Sequence, residues 1–111
     1  MKSIIYSEKG QCFLCEKCGQ TEEHHIFGAS NRAISEKYGL KIQICLECHR
    51  GDEGIHGKNC KEELKKGLKM MGQRAFEKHY AERKYKTKEP EWFYDRSPRE
   101  KFMQLFGRNY L

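Results

Sequence analysis

The most regular pattern of apolar and polar positions lies late in the chain. Leu64, Leu68, Met71, Ala75 and Phe76 recur at three- and four-residue spacing, and lysine and glutamate fill the opposite positions. That period predicts one amphipathic helix over 61–82. Two earlier stretches follow a shorter rhythm. In "KIQIC" and the residue after it, Ile42, Ile44 and Leu46 alternate with Gln43 and Cys45, while "HHIFG" at 24–28 is bounded by polar residues and a glycine. Both predict strands. Joined by "ASNRAISEKYGL", they make a hairpin whose loop of about a dozen residues is long enough to be functional or partly helical.

Local signals complete the element list. In "SPRE", Ser97 can cap a helix, Pro98 suits its first turn and Glu100 can close a capping box, so a short helix runs from Pro98 to Phe106 and stops at Gly107. The piece 83–111 therefore reads as a connector plus a short terminal helix. "ERKYKTKEPEWFYD" supplies a charged stretch broken by Pro90 and an aromatic anchor at Trp92, Phe93 and Tyr94. Residues 1–11 read as an extended lead-in, and there is no solenoid-type repeat. The expectation is a single domain over 1–111 of α+β class.

Composition adds a constraint. With 111 residues, 37% of them hydrophobic and 34% charged, the core is thin. Domains of this kind need a staple. Residues 12–60 hold all six cysteines, four of the five histidines and six of the ten glycines. The opening "MKSIIYSEKG" has only Ile4, Ile5 and Tyr6 as an apolar run, too short for a signal-peptide core or a membrane span. The expected location is the cytoplasm, with no membrane partner. In a reducing compartment, paired cysteines hold metal more often than they form disulfides. A net charge of +6 favours a polyanion as partner.

"CFLC" and "CLEC" place Cys12 with Cys15 and Cys45 with Cys48 at C-x2-C spacing, 29 residues apart. Two such pairs can enclose one tetrahedral Zn²⁺. "CEKC" gives Cys15 and Cys18 the same spacing, so either neighbour of Cys15 could complete the first pair. Cys60 remains a free thiol. "HRGDEGIH" then adds His49 and His56 after the second knuckle, and "EEHHIFG" sets His24 and His25 before it. Such clustering favours a second metal site. A zinc with four thiolates is coordinatively closed and can only hold the fold, whereas imidazoles leave open positions for a metal that also meets a phosphate. A further neutral imidazole titrates close enough to neutrality to accept a proton from water.

The pieces "CFLC", "EEHHIFG", "ICLECHRG" and "GIHG", in that order, resemble the HNH endonuclease family, and especially the small HNH proteins of phages and prophages. The ending "FMQLFGRNYL" adds to the resemblance, which covers most of the chain. It implies a zinc-stabilised ββα-metal core (His-Me finger, treble-clef-like) with additional C-terminal helices, cutting DNA, double-stranded, in the cytoplasm of a host cell. Structural zinc would be held by Cys12, Cys15, Cys45 and Cys48. His24, His49 and His56 would bind a catalytic divalent metal (Mg²⁺, Mn²⁺, Ni²⁺ or Zn²⁺), and His25 would be the general base activating water beside it.

The family's middle Asn is missing before the second knuckle. Asn31 takes that orienting role in this reading, and Arg32 and Arg50 are candidates to contact the scissile phosphate. Glu22 and Glu23 stand where they can orient a ring, as ligand histidines require. His79 reads as a surface residue. Neighbouring side chains on a regular strand point to opposite faces, so His24 and His25 share one site only where the strand ends or bulges. Two rivals remain: a zinc module that binds nucleic acid without cutting it, and an adaptor that meets proteins through Trp92, Phe93, Phe102 and Phe106. Those aromatics are more simply core.

Overall fold

The computed structural model describes residues 1–85 and 89–111. Among these, the architecture is α+β: a two-stranded sheet and four helices. Strand β1 (Thr21–His25) and strand β2 (Lys41–Cys45) pair antiparallel, with Glu22 opposite Ile44, His24 opposite Ile42 and His25 opposite Lys41. Residues directly opposite share a face. Ile42 and Ile44 therefore define the buried side, and His24 is buried with them.

β2 runs over the predicted "KIQIC". β1 does not coincide with "HHIFG": it begins at Thr21 and ends at His25. The reason lies in the bend that follows. Ile26 still donates to the Leu40 carbonyl, but the Phe27 N–H and carbonyl are both taken by the buried Ser35 hydroxyl. Phe27 then turns its ring into the core.

Ser35 belongs to helix α1 (Arg32–Lys37), which a 3-10 turn over Ala29–Asn31 opens, so the long hairpin loop is largely helical. Its six residues carry no apolar period that sequence could reveal. Helix α2 (Leu46–Arg50) follows β2 without a break, because Cys45 ends the strand and its sulfur caps the helix by accepting from the Cys48 N–H.

Helix α3 (Glu62–Ala81) lies inside the predicted span, but its buried stripe is Leu68, Gly72, Phe76 and Tyr80, with Gln73 beside it. Gly72 is where α3 crosses the Ile26–Phe27 bend: a Cβ there would lie 2.9 Å from Ile26 Cγ2 and 2.9 Å from Phe27 Cε2. Helix α4 (Pro98–Phe106) has the predicted ends, with the Ser97–Glu100 capping box and a left-handed Gly107.

Of the connector, residues 86–88 lie outside the described residues. Its anchor is mainly Tyr85 and Phe93, both buried, with the Tyr85 hydroxyl donating to the Tyr38 carbonyl at 3.0 Å. Trp92 is not core: it is 68% exposed. His79 is not a plain surface residue either, since its ring packs against Tyr85 at 4.3 Å. Residues 1–11 form no strand paired to the sheet; they hang on single contacts such as Ile4 N–H to Gly39 O.

Candidate functional site

Four sulfurs come together first. Cys12, Cys15, Cys45 and Cys48 form a cluster able to hold a metal ion such as zinc, with all four atoms within 4.8 Å of one another. The two knuckles are built alike: Cys15 N–H points to Cys12 Sγ and Cys48 N–H to Cys45 Sγ, each at 3.4 Å. Cys15 Sγ and Cys45 Sγ are 3.7 Å apart, against an edge of about 3.8 Å for a tetrahedron with Zn–S bonds of about 2.3 Å. The donor set fits a closed thiolate centre. Cys18 stands outside it, exposed and bridged to Gln11, which resolves the choice for the first knuckle in favour of Cys12.

Burial and main-chain amides act on these thiols in opposite directions. Burial raises the Cys12 thiol, but the main-chain amides of Cys15, Cys45 and Leu14 outweigh it and bring it down to about 6. Cys48 moves the other way, raised by burial and then by the neighbouring sulfurs. Sulfurs this close oppose one another's ionisation, and a dication among them would offset that repulsion.

The second cluster is His24, His49 and His56, one nitrogen of each again within 4.8 Å of the others. Their rings meet pairwise at 5.3 Å (His24–His49), 5.2 Å (His24–His56) and 4.7 Å (His49–His56). Three different elements deliver them. His24 comes from the buried face of β1, His49 from α2 directly after the knuckle, and His56 from the glycine-rich loop after α2. That loop is held tightly: His56 N–H donates to the His49 carbonyl at 3.0 Å, and a Cβ on Gly57 would lie 2.0 Å from the Gly51 carbonyl. Only glycine fits there.

Burial, followed by the charges of His49, His56 and His25, pulls His24 down to about 4. His56 is lowered too, by burial and then by His49 and Lys65. Both imidazoles are therefore neutral near pH 7, the form in which a ring nitrogen ligates metal. Glu22 fixes the third ring. Its carboxylate accepts from Arg50 and meets His49 Nδ1 at 2.8 Å, and those two contacts, Arg50 first, hold Glu22 down to about 2. With Nδ1 occupied, His49 presents Nε2.

His25 stands apart from this trio. It projects from the other face of β1, where its Nε2 meets Glu36 Oε1 at 3.0 Å and Glu23 Oε1 at 3.9 Å. Lys41, opposite it on β2, contacts Glu36 at 2.6 Å and Glu23 at 3.4 Å, and with His25 it draws Glu36 down to about 2. Yet β1 ends at His25, and His25 is among the residues bordering a cleft of about 270 Å³ that His24, His56, Lys65 and Lys69 also border.

The remaining expected site residues are placed elsewhere. Asn31 donates from its amide to the Phe106 carbonyl at 3.2 Å, stapling the start of α1 to the end of α4. Arg32 is exposed in the first turn of α1. Arg50 is exposed but bound to Glu22, as part of the His49 support. Glu36, Lys65 and Lys69 were not foreseen. A carboxylate on α1 faces β1 only because of the fold, and two lysines on a lysine-rich helix carry no mark of their own.

No helix among the described residues is long and apolar enough to cross a membrane. No protein-family model, curated protein or solved structure matches the chain.

Proposed function

We propose that the chain is a metal-dependent endonuclease of HNH type that hydrolyses DNA phosphodiester bonds. The observation that carries this reading is the convergence of His24, His49 and His56 beside a cleft that His25 and two lysines also line. The order of parts supports it: a thiolate knuckle, an antiparallel strand pair and a short helix opening on the second knuckle are what a treble-clef-like ββα-metal core requires. In this reading the cysteine cluster holds a structural zinc that stabilises the fold.

The three imidazoles would hold a divalent ion, which when bound would supply Lewis acidity toward a phosphoryl oxygen. The chain's own residues do the rest. His25 donates from Nε2 to the Glu36 carboxylate, which leaves Nδ1 as the ring's basic nitrogen. That atom takes the proton from the attacking water. Lys41 keeps Glu36 ionised, so the ring is held in one tautomer. Glu22 does the same for His49, and the orienting work expected of Asn31 falls to these two carboxylates. Lys65 and Lys69 draw the phosphodiester toward the cleft.

One observation favours the rival, a zinc module that grips nucleic acid without cutting it: His25 lies on the strand face opposite His24. The deciding experiment is the nicking of supercoiled plasmid with Mg²⁺ or Mn²⁺, comparing the parent protein with His24→Ala and His25→Ala. The nuclease reading expects metal-dependent nicking that falls at least about a hundredfold in either variant, the scale of a lost general base. Parental rates in His25→Ala would remove it from the chemistry, and intact plasmid with every metal would leave the non-cutting module.

A further inference from the structure

The histidine cleft does not close at its lysine wall. A second cleft of about 550 Å³ continues along α3 to the C-terminal segment, bordered by Glu62, Lys65, Lys66, Lys69, Arg108 and Tyr110. Lys65 and Lys69 line both, so the two clefts adjoin along α3. Four cationic side chains and one acidic side chain stand along the second, and the acidic one, Glu62, is 86% exposed and 3.8 Å from Lys65. A surface of that balance attracts a polyanion.

Two of its cations are seated on one aromatic ring. Lys69 Nζ lies 5.5 Å and Arg108 Cζ 4.7 Å from the centre of the Tyr110 ring, so one aromatic carries both charges. Tyr110 is itself tied down. Its N–H donates at 2.7 Å to Oε1 of the fully buried Gln73, and its ring packs against Phe27 at 5.4 Å. Cations placed beforehand lose less side-chain freedom on binding than lysines on open surface.

We propose that this second cleft is a track for the sugar-phosphate backbone of duplex DNA, held by Lys65, Lys69 and Arg108 and leading away from the histidine cleft. Spacing agrees. Lys65 and Lys69 are one helical turn apart, a rise of about 6 Å, and phosphates of one strand recur every 3.4 Å or so along the duplex axis. Two lysines therefore address about two phosphates, with Arg108 reaching farther along the strand. The choice of duplex DNA as occupant rests on the nuclease reading; the track itself rests on the charges.

The test is the salt dependence of binding to a short fluorescent duplex, without added Mg²⁺ or Mn²⁺, with a denaturing gel confirming that the DNA stays whole. The parent is compared with the triple variant Lys65→Gln/Lys69→Gln/Arg108→Gln and with a charge-matched control, Lys2→Gln/Lys9→Gln/Lys17→Gln, whose positions lie off the track. Circular dichroism confirms that both variants fold. Each phosphate contact contributes roughly 0.9 to the slope of log K against log salt. The track variant should lower the slope by about 2 to 3 and weaken binding at least tenfold at moderate salt, while the control lowers it by less than about 1. Equal changes in both variants, or an unchanged slope in the track variant, overturn the proposal. Nicking is scored separately: a nuclease whose slope ignores the track variant loses the track alone, and a slope change in a protein that never nicks loses the nuclease alone.

Discussion

Two glycines on α3 offer a matched perturbation. Gly67 is exposed, and a Cβ added to it meets nothing within 4 Å; Gly72 is buried, and the same atom would press on Ile26 and Phe27 at 2.9 Å. Inside a helix, replacing glycine by alanine contributes about 0.5–1 kcal/mol through lower backbone entropy in the unfolded chain and better propensity. Gly67→Ala should deliver that gain undiminished. At Gly72 the gain is opposed. Phe27 cannot swing aside, because Phe106, Phe102 and Tyr110 hold its ring at 4.7, 5.4 and 5.4 Å. Overpacking a fixed site costs about 1–3 kcal/mol, so Gly72→Ala should end near neutral or destabilised by up to about 2 kcal/mol. The two variants should differ by about 1–3 kcal/mol in urea denaturation followed by circular dichroism. Because Ile26 follows the histidine pair directly, Gly72→Ala should also weaken metal uptake at His24 while Gly67→Ala leaves it alone. Equal stabilisation by both substitutions would refute the claim that α3 is seated on the bend.

Two further outcomes are expected. Cys48→Ser should lose one equivalent of zinc and the cooperative thermal transition together, read by metal analysis and a circular dichroism melt; a melt like the parent's would show that the thiolate centre does not support the fold. Glu22→Gln should keep the fold and the cysteine-bound metal but weaken the histidine-bound one by about 10–100-fold, measured by competition with a coloured chelator, and unchanged affinity would mean that His49 is held in place without its carboxylate.

Local chemistry was the legible part of the sequence. Ser97, Pro98, Glu100 and Gly107 fix the ends of α4 through contacts within a few residues, so their meaning does not depend on the rest of the fold. The cysteine and histidine groupings were legible for a related reason, since C-x2-C is the spacing at which one knuckle turns both sulfurs inward. The features without a local signal are long-range. The end of β1 is set by the Ser35 hydroxyl, which holds Phe27 from eight residues away, and the support of His25 by Glu36, eleven residues away. Trp92 looked like core because it adjoins Phe93, but a 3-10 turn at Glu91–Tyr94 sends one ring inward and the other out. The partner of His79, Tyr85, sits in a stretch that reads as pure charge.

Cys45 ends β2, caps α2 and contributes a sulfur to the cysteine cluster, and His49 stands four residues farther along the same short helix. One residue thus joins the two clusters mechanically. In the proposed two-metal reading, an ion at the cysteines would set the tilt of α2 and with it the aim of His49, so filling the first centre would leave less conformational freedom to be lost at the second. By thermodynamic linkage such a coupling would be reciprocal: occupancy of the histidines would tighten the hold of the cysteines to the same degree. The protein would then act as a cooperative two-site ion receptor, whose readiness to work and whose resistance to unfolding rise and fall together.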